Sequence, residues 1–155
     1  PGASVDYEWV ASKMAALCER CDLRKIAFDR WGYRHLRPWL RKAGFSEEQL
    51  DGEDAVFEEF GQGMRSMSPA LRDLESHLLN RRIAHAMHPV LTMCSHNATV
   101  HTDPAGNRKL SKVKSHGRID GMVALAMAMS VAGTWEDAAD QGSMDAYFAA
   151  LSGAS

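Results

Sequence analysis

Two aspartates stand where a carboxylate could do chemistry. Asp29 follows a short apolar run that ends at Phe28, and Asp120 is the one acid in a stretch that is otherwise apolar from Ile119 onward. Parallel α/β sheets place their ligands at the carboxyl ends of strands, where an acid can hold a divalent metal ion. Either residue could instead serve a helix start, as an N-cap or as an acid in the first turn. Spacing alone leaves both interpretations open.

Other kinds of site find little support in the residue types. Cys18 and Cys21 form a C-x-x-C pair without the two further ligands that zinc needs, so we expect them to pack in the core. The seven histidines form no H-E-x-x-H pattern, and no phosphate-binding G-x-x-x-x-G-K-[ST] loop is present. Trp31 and Trp39 are expected to be buried supports rather than base-stacking platforms.

Charge is arranged in blocks, although the formal net charge is only −2. Residues 20–42 hold eight basic side chains against two acids, 45–60 is acidic without a base, and 107–118 is basic without an acid. The stretch after Trp135 carries four acids and no base. Such blocks are usually solvated faces, but the two basic blocks could also meet as one face for an anionic partner.

The elements that must position these residues follow from hydrophobic spacing and turn residues. The pattern predicts helices over 7–21, 30–43 (with a kink or a break near Arg37, because Pro38 lies inside it), 68–78 (begun by Ser68-Pro69), 88–97, 117–131 and 144–151. It predicts strands over 25–28, 55–60 and 83–87, and a hairpin of 98–101 with 108–113 around the turn 103–107. This alternation indicates an α/β layered fold with parallel strands.

Composition indicates one globular domain with 45 % hydrophobic residues. The longest apolar run, 122–132, is shorter than the roughly 20 residues that span a bilayer, and no signal peptide is visible. We therefore expect no membrane association. The odd count of three cysteines favours a reducing cytoplasm over a disulfide scaffold.

Several segments, taken in order, resemble the C-terminal nuclease domain of tailed-phage terminase large subunits. They are residues 5–7, 26–31, 60–70, 88–91 with Asn97, 103–107, 112–115 and 118–125. The resemblance covers about residues 5–132, which we take as the nuclease-domain portion. Residues 133–155 are then a C-terminal acidic tail with a short helix.

The resemblance implies an RNase H-like three-layer α/β fold. It also implies a metal-dependent endonuclease that cuts concatemeric viral DNA during genome packaging. In that superfamily three acidic positions hold two Mg²⁺ or Mn²⁺ ions, and Asp29 and Asp120 match the second and the third. The first acid lies on the opening strand, so we expect an incomplete fold that lacks the first three strands, and weak or no activity from this chain alone.

The resemblance further implies a set of partners in the bacterial host cytoplasm: double-stranded viral DNA, an upstream ATPase domain in the full-length chain, the terminase small subunit and the portal protein. The basic stretches suggest Lys112, Lys114, Arg118 and Arg30 as DNA-backbone contacts. An unpaired edge on the strand before Asp29 suggests self-association by strand pairing. Two alternatives stay open: another RNase H-like nuclease, such as a resolvase or transposase relative, or a non-catalytic module that binds DNA or protein.

Overall fold

Six helices and four short strands form the described part of the chain, which is residues 4–53 and 55–133 of a computed structural model. In chain order they are α1 (Tyr7–Arg20), β1 (Ile26–Phe28), α2 (Arg30–Lys42), α3 (Glu47–Asp51), β2 (Phe57–Glu59), α4 (Met64–Leu79), α5 (Pro89–Asn97), β3 (Val100–Thr102), β4 (Arg108–Leu110) and α6 (Asp120–Gly133). The helix predicted over 144–151 lies outside the described residues.

The strands pair as the sequence predicts, in two separate two-stranded sheets within the described ranges. Strand β1 runs parallel to β2, with Ile26 opposite Phe57 and Phe28 opposite Glu59. Strands β3 and β4 form the antiparallel hairpin, with Val100 opposite Leu110. The prediction of a mixed α/β architecture with parallel strands is confirmed.

Strand β1 lies between two apolar cores, because successive side chains of a strand point to opposite faces. Ala27 packs against a core built mainly by α4 and α6. Ile26 and Phe28 pack against a second core of α1, α2 and β2. The first core contains Phe60, Met67, Ala70, Leu71, Leu74, Ile119, Val123, Ala126 and Met127, and the second contains Ala11, Leu40, Phe45, Leu50 and Phe57. Packing on both faces fixes where β1 ends, and so where Asp29 lies.

Helix α4 begins earlier than the sequence predicts. Its first residue is Met64 and its N-cap is Gly63, whereas the dipeptide Ser68-Pro69 lies inside the helix. Met67 and Ser68 are buried in that first part, so packing overrides the start signal of the proline. Leu78, expected on the buried stripe, is 45 % exposed.

Three further predictions are corrected. No strand forms over 83–87 in the structure, and the positive φ angles of Ala86 (46°) and Met87 (50°) are incompatible with one. The sequence reading also missed α3, although Ser46 and Gln49 form a complete capping box at its start. Cys21 is exposed and caps the end of α1 instead of packing in the core.

Two other expectations concern helices. Helix α2 continues through Pro38 to Lys42, and Gly44 follows its end with a φ of 101°. None of the helices in the described ranges combines the length and the apolar character needed to cross a bilayer.

Candidate active site

Asp29 uses both of its carboxylate oxygens in the structure. It is the N-cap of α2, where Oδ1 accepts the backbone N–H of Trp31 at 3.2 Å. Its Oδ2 accepts a hydrogen bond from Nε2 of Gln62 at 2.8 Å. The cap interpretation is therefore confirmed. It does not exclude metal binding, because an ionised carboxylate offers about four lone-pair sites.

Gln62 reaches Asp29 because the two parallel strands end side by side. The backbone N–H of Phe60 donates to the carbonyl of Phe28 at 2.8 Å, which keeps the chain after β2 beside the chain after β1. Sequence reasoning did not select Gln62 as a site residue. The sequence does contain a signal for Gln62, because this residue lies in the loop after the second parallel strand. Ligands of parallel sheets bind at that edge.

Asp120 is the first residue of α6, and 66 % of its side chain is exposed. The first-turn interpretation is confirmed, and the carboxylate does not face the core, which is filled by Ile119 and Val123 instead. Oδ1 of Asp120 lies 3.7 Å from Nζ of Lys112. At this exposure the ion pair contributes at most about 1 kcal/mol, so a cation or a phosphate can displace either partner.

One partner of each aspartate lines the same cleft of about 250 Å³, here called the Gln62–Lys112 cleft. Its lining is Gln62, Met67, the segment 109–113 and Val123. Gln62 is the partner of Asp29, and Lys112 is the partner of Asp120. In residues 4–53 and 55–133 no group of three or more His, Cys, Asp or Glu side chains is arranged to hold a metal ion.

Three of the four basic residues selected from the sequence follow β4. Lys112, Lys114 and Arg118 are exposed and lie between β4 and α6. Nζ of Lys114 is 3.4 Å from Nδ1 of His101 on the opposite strand of the hairpin. The fourth, Arg30, lies at the start of α2, with its guanidinium 3.6 Å from the carboxylate of Glu59.

The β3–β4 hairpin that carries this basic segment is attached to α4. The backbone N–H of Arg108 donates to Oγ of Ser68 at 3.2 Å, and its guanidinium donates to the Glu75 carboxylate at 2.8 Å. The hydrogen bond from Arg108 lowers the pKa of Glu75. At the turn, the side-chain and backbone N–H groups of Asn107 lower the pKa of Asp103 in the same way.

Trp31 is not a buried support, contrary to the sequence-based expectation. It is 76 % exposed in the first turn of α2, and the Arg30 guanidinium lies 5.3 Å from the centre of its ring. Trp39 is half-buried, with Nζ of Lys42 4.9 Å from its ring centre. No element within residues 4–53 and 55–133 covers the indole of Trp31.

Comparison with known proteins agrees with the family resemblance. The family described as "Terminase large subunit, endonuclease domain" matches residues 2–136. The chain is 48 % identical over 132 residues to the large terminase subunit of Enterobacteria phage HK97, covering 85 % of this chain and 25 % of that protein. It is 28 % identical over 137 residues to Protein YmfN of Escherichia coli K12, covering 87 % and 28 %.

A solved structure gives the same result. The crystal structure of the HK97 bacteriophage large terminase superposes with a TM-score of 0.74 at 48 % identity, covering 84 % of this chain and 26 % of that one. This chain thus spans about a quarter of the length of the relatives that it matches. The chain belongs to the family of terminase large subunit endonuclease domains.

Proposed function

We propose that this domain, with an RNase H-like fold, is the metal-dependent nuclease part of a phage terminase that cuts concatemeric viral DNA during genome packaging. The proposal assigns Asp29 and Asp120 as metal ligands. The observation that carries it is the Gln62–Lys112 cleft, since the hydrogen-bond partner of one aspartate and the ion-pair partner of the other line the same space. Family membership supplies the reaction class.

The carboxylates of Asp29 and Asp120, whose partners Gln62 and Lys112 line the cleft, suit Mg²⁺ or Mn²⁺. Carboxylate oxygens suit these hard cations, and Mg²⁺ is commonly bound through one or two carboxylates together with substrate phosphates and water. Asp29 and Asp120 can supply two such carboxylates. Two divalent ions, as we propose for the intact enzyme, supply an activated water molecule and stabilisation of the leaving oxygen in phosphodiester hydrolysis.

The residues around the two aspartates have distinct tasks in this proposal. The Trp31 N–H and the Gln62 amide hold the Asp29 carboxylate in a fixed orientation, as outer hydrogen bonds do for metal-ligating carboxylates. Lys112 balances the charge of Asp120, and its exposed ammonium group could also contact a DNA phosphate. Lys114, Arg118 and Arg30 bind further phosphates of double-stranded DNA.

The proposed phosphate contacts are tested by salt dependence. Replacing Lys114 or Arg118 by alanine should lower the slope of log affinity against log salt by about 1 each, because each contact releases about one counterion from duplex DNA. Lys13→Ala, an exposed lysine on α1, is the matched control and should leave the slope unchanged. Equal slopes for all these variants would mean that the segment after β4 is ordinary solvated charge.

The wider assembly is also part of the proposal. The matched relatives are about four times as long as the matched part, which leaves room for an ATPase domain in the longer protein. We propose that the domain comprises residues 5–132 followed by the acidic segment 133–155, and that it works in the host cytoplasm with the terminase small subunit and the portal protein. Strand β1 has β2 as its one strand partner in the described part, so its other edge can pair with a second copy of the chain.

Titration of this chain with Mn²⁺ in a calorimeter tests the metal assignment. Asp29→Asn and Asp120→Asn should each weaken binding at least about tenfold, because each removes a charged oxygen ligand. Asp73→Asn, an exposed aspartate on α4, should bind like the unmodified chain. If the unmodified chain bound Mn²⁺ no better than the two site variants, the assignment of these residues would be wrong for this chain.

Cleavage is tested in the longer protein that includes the remaining domains. There, Asp120→Ala should abolish metal-dependent nicking of plasmid DNA, while thermal unfolding stays close to that of the parent. Nicking at the normal rate by this variant would favour a non-catalytic role for Asp120.

A further inference from the structure

The exposed indole of Trp31 lies at a fixed place beside the candidate metal ligand Asp29. Its own backbone N–H donates to Oδ1 of Asp29 at 3.2 Å, so Trp31 follows by two residues the aspartate whose carboxylate caps α2. The side chain is nevertheless 76 % exposed. An aromatic ring of this size normally adds its large apolar area to a core or to an interface, so the exposed ring beside a candidate metal ligand offers a surface on which a ligand can pack.

Arg30 adds a cation to the same surface. Its guanidinium carbon is 5.3 Å from the centre of the Trp31 ring, within the range of cation–π attraction. The same guanidinium is 3.6 Å from the carboxylate of Glu59, which ends β2 opposite Phe28. Arg30 is thus held between the ring and the end of the parallel strand pair, and the remaining surface of the indole stays open.

A groove of about 450 Å³ begins at Arg30 and follows α2. Arginines at spacings of four, three and four residues line it together with Phe28 and Tyr33, and the acids Asp51 and Glu59 also lie in its lining. Arg37 pairs with Glu47 and Asp51, and Arg41 pairs with Glu47. Arg34 has no carboxylate partner among the described residues and donates to His35. The four arginines are Arg30, Arg34, Arg37 and Arg41.

An exposed indole, a guanidinium and an arginine-lined groove together suit one ligand class. Single-stranded nucleic acid binds to aromatic rings that stack on its bases and to positive grooves that follow its backbone. Bases inside a duplex are already stacked on their neighbours, so an indole can reach a base only where the strand is locally unpaired or wedged open.

We propose that Trp31 and Arg30 form a base-stacking subsite for a locally unpaired DNA strand beside Asp29. Its place next to the cutting site rests on the proposed nuclease function, whereas the stacking itself needs neither a metal ion nor cleavage. The subsite holds a strand that has left the double helix, and the strand continues along the arginines of α2.

The test uses this chain in EDTA, with a 12-nucleotide strand of deoxythymidine and a 20-base-pair duplex as probes. Trp31→Ala should weaken binding of the single strand about tenfold, equivalent to about 1.4 kcal/mol, which is in the range for one stacked base. Trp31→Phe, which keeps a flat ring, should stay within about threefold of the parent. Duplex affinity should change less than about threefold in either variant.

The matched control is Trp9, which is 60 % exposed on α1 with Nζ of Lys13 5.5 Å from its ring centre. Trp9→Ala should bind the single strand like the parent. Equal losses for Trp9→Ala and Trp31→Ala, equal losses on strand and duplex, or no loss with Trp31→Ala would each overturn the subsite. An unaffected strand affinity would also turn attention to a protein ligand for the indole.

Asp29→Asn separates this inference from the proposed nuclease function. It should lose Mn²⁺ affinity but keep single-strand affinity in EDTA, because asparagine still caps α2 and keeps Trp31 in place. A strand-selective loss in Trp31→Ala without Mn²⁺ binding by the parent would support the subsite and reject the metal assignment. Mn²⁺ binding that depends on Asp29, together with intact strand binding in Trp31→Ala, would do the reverse.

Discussion

A single side chain, Asp29, combines two roles that the sequence presents as alternatives. One oxygen caps α2 and the other accepts the Gln62 amide, yet both keep lone pairs directed away from these donors. Residue type and position predict each role separately. Neither the strand nor the cap signal contains Gln62, which is 33 residues away along the chain.

Substitution of Asp29 by serine or by alanine separates the two roles. Both variants should lose Mn²⁺ binding, because both lose the carboxylate. Asp29→Ala should be less stable than Asp29→Ser by about 1 kcal/mol, because serine still caps the helix and alanine does not. Chemical denaturation gives the stability difference, and calorimetry gives the metal affinity.

Asp6 provides a matched control, since it caps α1 by accepting the Trp9 N–H at 3.0 Å. Asp6→Ala should also be about 1 kcal/mol less stable than Asp6→Ser. Both Asp6 variants should bind Mn²⁺ like the parent. Metal binding that survives in Asp29→Ser would leave Asp29 with the cap role alone.

At the scale of elements, the hairpin and α4 act together. The turn residues at 103–107 predict that β3 and β4 pair, and the structure confirms it. Where the hairpin packs is decided by Ser68, a buried residue in α4 whose Oγ accepts the backbone N–H of Arg108. This contact positions the basic segment after β4 against the Gln62–Lys112 cleft.

Ser68→Ala should destabilise the domain by about 1–2 kcal/mol, because it leaves the Arg108 N–H without its acceptor. Amide hydrogen exchange should also become faster in β4. Ser76→Ala, at an exposed position of the same helix, should change stability by less than about 0.5 kcal/mol. Equal stabilities for the two variants would show that the hydrogen bond does not hold the hairpin.

Acid should weaken a second contact between the hairpin and α4, the ion pair of Arg108 with Glu75. The hydrogen bond from Arg108 lowers the pKa of Glu75 below its ordinary value of 4.5. A lowered pKa means that the stabilisation is complete above the ordinary value and is lost as pH falls through the folded-state value. Protection factors in β4, in which the intrinsic pH dependence of exchange is removed, should therefore fall as the pH drops below the ordinary value of 4.5, and Glu75→Gln should reduce this pH dependence. A fall in protection that is identical in Glu75→Gln would contradict this origin.

At the scale of the whole molecule, β1 is the element around which both cores are arranged, and its second edge faces a groove of about 450 Å³. Apolar side chains dominate the lining, among them Leu23, Ile26 and Met127. This edge pairs with no strand in the part of the chain that the structure describes, and such an edge beside apolar surface favours pairing with another strand. This is the physical basis for the proposed self-association.

Light scattering over a range of concentrations should therefore show dimers of this chain. Ala128→Lys should shift the equilibrium to monomers, because it places a charge at an exposed position of α6 that lines the groove. Ala105→Lys, in the exposed hairpin turn, carries the same change away from the groove and should leave the dimer intact. A monomer at the highest concentration would count against strand pairing.

The sequence alone determined the family, the parallel strands, most of the helices, and the positions of Asp29 and Asp120 at helix starts. These features depend on local information: apolar spacing, caps, turn residues and short motifs read in order. The start of α4 escaped this reading because the burial of Met67 and Ser68 outweighs a proline signal, and burial is a property of the packed molecule.

Only the tertiary structure decided that Gln62 donates to Asp29 and that Lys112 forms an ion pair with Asp120. It also decided that Gln62 and Lys112 line one cleft. The tertiary structure also decided that the side chain of Trp31 is exposed to solvent. Such relations join residues that are far apart along the chain, and they exist only once two cores have fixed β1, α4 and α6 against each other. A sequence pattern specifies which face of an element is apolar, but not which distant side chain will lie beside its end.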